Sequence, residues 1–387
     1  MTDKAVVALR KFVAPEIVFG ANALDLAGQA VLNLGGLKAL VVSDPGVVEA
    51  GWTDRVLASL DAAGVEHELF TAVTPNPRAE EVALGAERYR AAGCDALVAV
   101  GGGSPMDCAK GIGIVAANRR PVLEFEGVDE VAEPMPPMVC VPTTCGSSAD
   151  VSQFAIITHR AEQRKIAIVS KAVVPDVSLV DPRCLSTMSR YLAACTALDT
   201  LTHAIEALVS LGASALTNLH AMKAIGLLGQ RLQEALRGPE LTRLDDLMFA
   251  SLQAGLAFSN ASLGAVHAVA HSLGGKLDLP HGECNALLLE HVVDFNFDAA
   301  EDGYRAVAET LGLEVRGQSS ARVRSALVGY LRELREALGV SGALEARGVK
   351  ASDVRDLAAT AMRDACLVTN PRRPTPRDLE VVLELAL

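Results

Sequence analysis

The chain has 387 residues, 50% of them apolar but only 4% aromatic, and a formal net charge of −12 at pH 7. That length supports two domains with full cores, and the acidic balance argues against nucleic acid or an anionic membrane surface as a partner. No apolar run reaches spanning length, and the N-terminus, MTDKAVVALRKFVAP, carries charges where a signal peptide needs its apolar stretch, so the expected location is cytoplasmic.

The first half alternates short apolar runs with helical patterns. LKALVVSD reads as a buried strand, WTDRVLASLDAAG as a helix, EHELFTAV as a strand, AEEVALGAERYRAAG as a second helix, and CDALVAVGGGS as another strand ending in glycines. Such alternation predicts a mostly parallel sheet with helices on its faces, and ligands bind at the carboxyl ends of its strands. Asp44 stands at one such end, where its carboxylate could hydrogen-bond an adenosine ribose and repel a 2′-phosphate, favouring NAD over NADP. An Asp before Pro-Gly is equally at home as a helix or turn cap. At another strand end stand Gly101, Gly102, Gly103 and Ser104, ahead of the helical PMDCAKGIGIVAAN. Glycines let a pyrophosphate approach backbone amides at the positive start of a helix. The G-x-G-x-x-G fingerprint is absent, and a tight strand-to-helix turn would use the same residues.

In PMVCVPTTCGSSADVSQFAIIT an apolar run opens into a loop of small hydroxylated residues, where Thr143, Thr144, Ser147 and Ser148 could donate hydrogen bonds to phosphate, ribose or carboxamide. Lys165, in QRKIAIV, is a further candidate for the ribose or phosphate side of a cofactor, against the reading of a solvated surface lysine. Cys94, Cys108, Cys140, Cys145, Cys184, Cys195, Cys284 and Cys366 form no C-x-x-C pair and read as buried thiols, with Cys145 set apart by its polar loop. After VPDVSLVDPRCL the strand signals fade and helical patterns dominate. The boundary near Asp181 to Ser186 divides residues 1–184, α/β, from residues 185–387, all-α.

Within the helical half, LDTLTHAIEAL sets Asp199 and His203 at i and i+4, on one helix face. AVHAVAHSLGGKLDLPHGECN does the same for His267 and His271, with His281 beyond a Gly-Gly turn and Pro280. One carboxylate and several imidazoles arriving from two helices form the donor set of a divalent transition metal. Five candidates exceed what a catalytic site with an open position uses, and spacing does not say which one is spare. Any one of these histidines alone also fits a core or surface residue with satisfied hydrogen bonds.

In this order and at these separations, GGGSPMDCAKGIG, PTTCGSSADVSQFAIIT, ALDTLTHAIEA and GAVHAVAHSLGG with LPHGECNALLL resemble the iron-containing (group III) alcohol dehydrogenase family over nearly the whole chain. The resemblance implies an N-terminal Rossmann-like parallel α/β domain that binds NAD(P), a C-terminal helical metal-binding domain, and an active site in the cleft between them. It implies Asp199, His203, His267 and His281 as metal ligands, with His271 a non-ligand histidine beside nicotinamide and substrate. Gly101, Gly102, Gly103 and Ser104 match the pyrophosphate loop, Thr143, Thr144 and Lys165 match cofactor contacts, and Asp44 matches the acidic position associated with NAD. The implied function is metal-dependent, NAD-linked interconversion of small primary alcohols and aldehydes, with iron(II) as the typical metal, zinc as the alternative, and a homodimer or higher homo-oligomer as the assembly. A cation held by one carboxylate and three neutral imidazoles would lower the pKa of an alcohol and polarise a carbonyl. His271 is then the proton relay, or else a hydrogen-bonding residue that orients a ligand.

Some residues depart from the family pattern. Its loop usually reads closer to PTTAGTGSEVT, where this chain has Cys145, Ser147, Ser148, Asp150 and Ser152. Asp for Glu and Ser for Thr keep the chemistry, whereas Cys145 opens a redox-sensitive or regulatory role. Glu290, where proline is usual, is expected to affect local backbone rather than catalysis. Two other functions fit the same architecture. One is a catalytically weak sensor binding NAD and alcohol. The other is a lyase of the dehydroquinate synthase type, which would need a dense set of Lys and Arg around the metal, where these segments offer Lys276.

Overall fold

The structure is a computed structural model that describes residues 11–238 and 240–387. In chain order its first part comprises β1 (Glu16–Phe19), α1 (Ala27–Asn33), β2 (Lys38–Val42), α2 (Pro45–Glu49), α3 (Trp52–Ala63), β3 (Glu66–Phe70), α4 (Ala79–Ala92), β4 (Ala96–Gly101) and α5 (Gly103–Asn118). Five strands follow: β5 (Gly127–Val128), β6 (Met138–Pro142), β7 (Phe154–His159), β8 (Arg164–Val169) and β9 (Val177–Val180). Six of the nine pair in parallel in the order β1-β9-β6-β4-β2-β3. The remaining three form a small sheet in the order β5-β8-β7, with β7 and β8 antiparallel.

Side-chain chemistry explains the strand positions. The central strands β4 (ALVAVG) and β6 (MVCVP) are buried at every residue, as strands covered by helices on both faces must be. β3 (EHELF) keeps its charged residues on an exposed sheet edge, where they discourage further strand pairing. Leu40, Leu97 and Met138 pack with Met106 and Ile112 of α5 on one face, and Val41, Val98 and Val139 pack with Val31 of α1 and Val56 and Leu60 of α3 on the other. The connection after β2 runs outward to β3, whereas β4 returns to the opposite side of β2 and leads on to β6. The crevice past the carboxyl ends of β2 and β4 is therefore a topological switch point, the place where open α/β sheets bind ligands. It holds Asp44 and the glycines after β4.

The α/β-then-helical organisation expected from the sequence is the one adopted. Asp181 caps a short 3-10 turn, Pro182–Thr187, and Ser189 caps the next helix through Leu192 N. From there the described residues form helices and no further strand: α6 (Arg190–Val209), α7 (Ala215–Ala235), α8 (Leu244–Ala261), α9 (Ala265–Leu277), α10 (His281–Asn296), α11 (Glu301–Thr310), α12 (Ser320–Ala337), α13 (Val354–Ala361) and α14 (Pro376–Ala386). They enclose most of a large apolar core, which also takes in Cys145, Phe154 and Val180 of the first part.

Glu290 does something other than bend the backbone. α10 runs through it without interruption, and its buried carboxylate faces α12, accepting from Arg332 Nε at 2.9 Å and lying 3.6 Å from Arg335 Nε. Arg335 is itself buried, so the acid neutralises a cation that has little access to water. Glu290→Ala is expected to lower the unfolding free energy by about 3 kcal/mol, because it strands Arg335. Arg332→Ala, at a side chain 51% exposed, should cost less than about 1 kcal/mol. Urea unfolding of both variants checks this, and equal effects would show that Glu290 gives Arg335 no particular support.

Candidate active site

On the sheet side of the cleft, Asp44 follows β2 and N-caps α2, its Oδ1 accepting from Val47 N at 3.0 Å. The cap reading thus holds, and it uses only one of two carboxylate oxygens. Across the crevice β4 ends at Gly101, with φ +150°, where a Cβ would lie 2.6 Å from Pro105 Cγ. A Cβ at Gly102 would meet Thr144 at 3.1 Å and one at Gly103 would meet Ser147 at 2.9 Å, while Thr143 N donates to Gly101 O at 2.9 Å. The loop after β6 is therefore seated directly on the glycine turn. α5 begins behind it without a side-chain cap, so its first-turn amides, with Ser104 among those residues, are open to an anion. Ser148 turns elsewhere, its Oγ donating to Ser251 O of α8 at 2.7 Å.

The other end of that loop touches the helices. Thr200 Oγ1 donates to Cys145 O at 2.5 Å, and a Cβ at Gly146 would meet Thr196 Cβ at 2.9 Å, both partners lying on α6. One turn of the loop thus rests on the candidate pyrophosphate site and the next on the helix that carries Asp199.

Asp199 and His203 of α6, His267 of α9 and His281 at the start of α10 converge, with one donor atom from each inside 4.8 Å of all the others. Asp199 Oδ1 is 3.8 Å from His267 Nε2, 3.9 Å from His281 Nε2 and 4.0 Å from His203 Nδ1. Two opposed bonds from one transition-metal ion to nitrogen span about 4.2 Å, so a single ion can reach this set. Burial drives the imidazole pKa values down, to about 4 for His203, about 3 for His267 and well below the ordinary range for His281. All three rings are neutral at pH 7 and keep a lone pair for a ligand bond. Asn285 Nδ2 donates to Asp199 Oδ1 at 2.6 Å and lies 3.1 Å from His267 Nε2 and 3.2 Å from His281 Nε2. A positively polarised amide group thus sits where the lone pairs converge, while His203 Nδ1 and Asn285 Oδ1 are buried without partners. Residues of this chemistry fit a divalent cation.

Two residues that the spacing argument passed over hold the rings in place. Glu206, on the face of α6 shared by Asp199 and His203, accepts from His267 Nδ1 at 2.6 Å, Gly264 N at 3.0 Å and Val266 N at 2.7 Å. It fixes the His267 tautomer with Nε2 turned inward, although burial pushes the carboxyl up to about 7. Phe258 of α8 stacks on His203 with ring centroids 4.3 Å apart. Glu206 was legible as the third member of an i, i+4, i+7 series, and Asn285 as i+4 from His281.

His271 stands off the quartet. Its Nδ1 donates to Asp364 Oδ2 at 2.8 Å, its ring stacks on His281 at 5.3 Å, and it lines a cavity of about 110 Å³. Lys165 lines the same cavity and packs on α9, where a Cβ at Gly274 would meet its Cε at 2.8 Å. Burial pushes its ammonium pKa down, so it is not a solvated surface lysine. Lys276 is drawn away to Asp353 at 3.0 Å and Asp356 at 3.4 Å. Cys145 is 1% exposed, and burial raises its thiol pKa to about 11, the opposite of the low-pKa, accessible thiol that a redox-sensitive role favours.

Residues 14–182 match the family model described as iron-containing alcohol dehydrogenase, and residues 193–387 match the C-terminal model of the Fe-containing alcohol dehydrogenase family. The chain is 37% identical over 379 residues to a 1,3-propanediol dehydrogenase of Klebsiella pneumoniae, with 97% of this chain and 98% of that one covered. It is 33% identical over 377 residues to an NAD-dependent methanol dehydrogenase of Bacillus methanolicus, with 97% and 99% covered. Its fold is similar to the crystal structure of a 1,3-propanediol oxidoreductase, with a TM-score of 0.94 at 36% identity over 98% of this chain and 100% of the other.

All eight cysteines are free and buried. A disulfide thiol reagent at pH 8 is expected to leave the native protein unlabelled over minutes and to titrate every thiol once the chain is unfolded. Rapid modification of Cys145 in the native state, located by peptide mapping, would restore the redox reading.

Proposed function

The chain belongs to the iron-containing alcohol dehydrogenase family, and on that premise we propose that it interconverts small primary alcohols and their aldehydes with NAD as the hydride carrier. The observation that carries this reading is the loop after β6, which joins the bare glycine turn of a dinucleotide-type crevice to the helix bearing Asp199. Relatives named for 1,3-propanediol and methanol support a short substrate. So does the cavity beside His271, walled in part by Ala167, Ala268, Ser272 and Thr360.

In this reading Asp199, His203, His267 and His281 hold the cation, iron(II) by family, with zinc also suited to the donor set. Gly101, Gly102, Gly103 and Ser104 receive the pyrophosphate at the start of α5, Asp44 the adenosine ribose, and Thr143, Thr144, Ser147 and Lys165 further cofactor groups. When bound, the cation supplies a Lewis acid for the substrate oxygen and the nicotinamide supplies the hydride acceptor. Glu206 keeps the His267 lone pair aimed inward, and the buried walls of the site exclude water from the reacting atoms. His271 carries the proton between substrate oxygen and cavity.

The reading extends to a division of labour in which residues 1–184 bind the nucleotide and residues 185–387 the metal and substrate. It also takes the enzyme to be cytoplasmic and a homodimer, the commonest closed assembly. Eight unpaired cysteines are in keeping with a reducing compartment. Among the described residues α6 alone is long and apolar enough to cross a membrane, and it is largely buried inside the fold.

Chelation of the metal is expected to abolish NADH formation from primary alcohols while the circular dichroism of the helices persists, since a large apolar core holds them apart from the metal. Full turnover after verified demetallation would sink the proposal. Elemental analysis should find the metal lost from His267→Ala but kept in His271→Ala, with kcat of the latter reduced about 100-fold. Equal loss from both would reassign the spare histidine. Asp44→Asn preserves a capping side chain and removes the charge. It should raise kcat/KM with NADPH relative to NADH by about tenfold, the equivalent of about 1.4 kcal/mol of relieved repulsion. An unchanged ratio would leave Asp44 a cap and nothing more.

A further inference from the structure

A histidine that relays a proton must present the correct ring nitrogen, and the surroundings of His271 select one. Asp364 lies between α13 and the 3-10 segment Ala365–Thr369. Its Oδ1 accepts from Cys366 N at 2.8 Å, and its Oδ2 accepts from His271 Nδ1 at 2.8 Å. The side chains of His271 and Asp364 are only 6% and 9% exposed, so water has little access to either bond. A carboxylate with both oxygens already engaged can only accept, which places the hydrogen on Nδ1 and leaves a lone pair on Nε2. The Cys366 sulfur is within 4.8 Å of both groups, but burial raises its pKa well above the ordinary range, so no thiolate offers a rival acceptor.

We propose that Asp364 is a positioning residue that locks His271 in the Nδ1–H tautomer, making Nε2 the atom that takes the alcohol proton during oxidation and returns it during reduction. The inference rests on the alcohol dehydrogenase reading above. In oxidation the alcohol O–H bond breaks and an N–H bond forms at His271 Nε2, while hydride leaves the carbinol carbon with its electron pair for NAD⁺. The aldehyde, NADH and an imidazolium result. The Asp364 carboxylate stabilises that imidazolium until the proton passes to solvent.

Two substitutions separate tautomer control from simple support. In Asp364→Asn the Cys366 N–H claims the amide oxygen, so the NH₂ faces His271 Nδ1 and the ring hydrogen must move to Nε2, blocking it. In Asp364→Ala the ring chooses freely. The expected result is a kcat loss of about 100-fold or more for Asn and about tenfold for Ala, with metal content and KM for NAD retained in both. A structural role predicts the reverse order, because Asn is nearly isosteric with Asp. The ring-nitrogen NMR spectrum of zinc-loaded protein should show His271 protonated at Nδ1 in the parent and at Nε2 in Asp364→Asn. An Ala variant as impaired as the Asn variant, or a parent spectrum with the hydrogen on Nε2, overturns the proposal. The spectrum does not depend on turnover, so failure to oxidise any alcohol would refute the enzymatic reading and leave the tautomer assignment standing.

Discussion

The helical half of this protein is organised by one buried carboxylate. Glu206 takes two backbone amides at the start of α9 and the Nδ1 hydrogen of His267, tying the helix that carries Asp199 and His203 to the helix that carries His267. A carboxylate at a helix N-terminus is favoured by the helix dipole as well as by its hydrogen bonds. Asn370 completes the arrangement by accepting from Ala265 N at 3.0 Å. α9 therefore begins at Gly264 with no local capping side chain, its orphan amides being met by residues far away in the chain. Gly264 is required there, since a Cβ would lie 2.7 Å from Asn370 Oδ1 and 2.9 Å from Glu206 Oε1.

The sheet contributes a second constraint, which is positional rather than electrostatic. Strand order alone puts Asp44 and the glycine turn on the two sides of one crevice. The loop after β6 then carries that geometry to α6, because its small residues allow contact on both sides: Thr144 and Ser147 on the glycines, Cys145 and Gly146 on Thr200 and Thr196. Bulk at Gly146 would push the crevice away from Asp199. The glycine turn and the helix bearing Asp199 thus meet across a loop whose main property is thinness.

Much of this was legible in the sequence because the signals are local. Strand and helix periods gave the α/β half, and i, i+4 spacing placed Asp199 with His203 and His267 with His271. Partners set by tertiary approach were not legible. Asp364 reaches His271 across 93 residues, and nothing in the sequence around it marks an imidazole's partner. Glu290 looked like a backbone departure because its arginines lie 42 and more residues onward on α12. β1 was missed because EIVF is short and half-exposed at a sheet edge. The burial of Cys145 was not legible because polar neighbours in sequence do not imply water in space, and the loop packs its thiol inward. Asp44 was read two ways, and one oxygen already serves the cap.

The distant capping of α9 also imposes an order on biosynthesis. A nascent chain that has just emerged as far as Ala265 lacks the side chain that must satisfy that amide, which the ribosome adds 105 residues later. The α/β half can collapse around its own cores while translation continues. The first amide of α9 is met only when that later stretch has docked, so this helix end is completed after synthesis of the segment rather than alongside it.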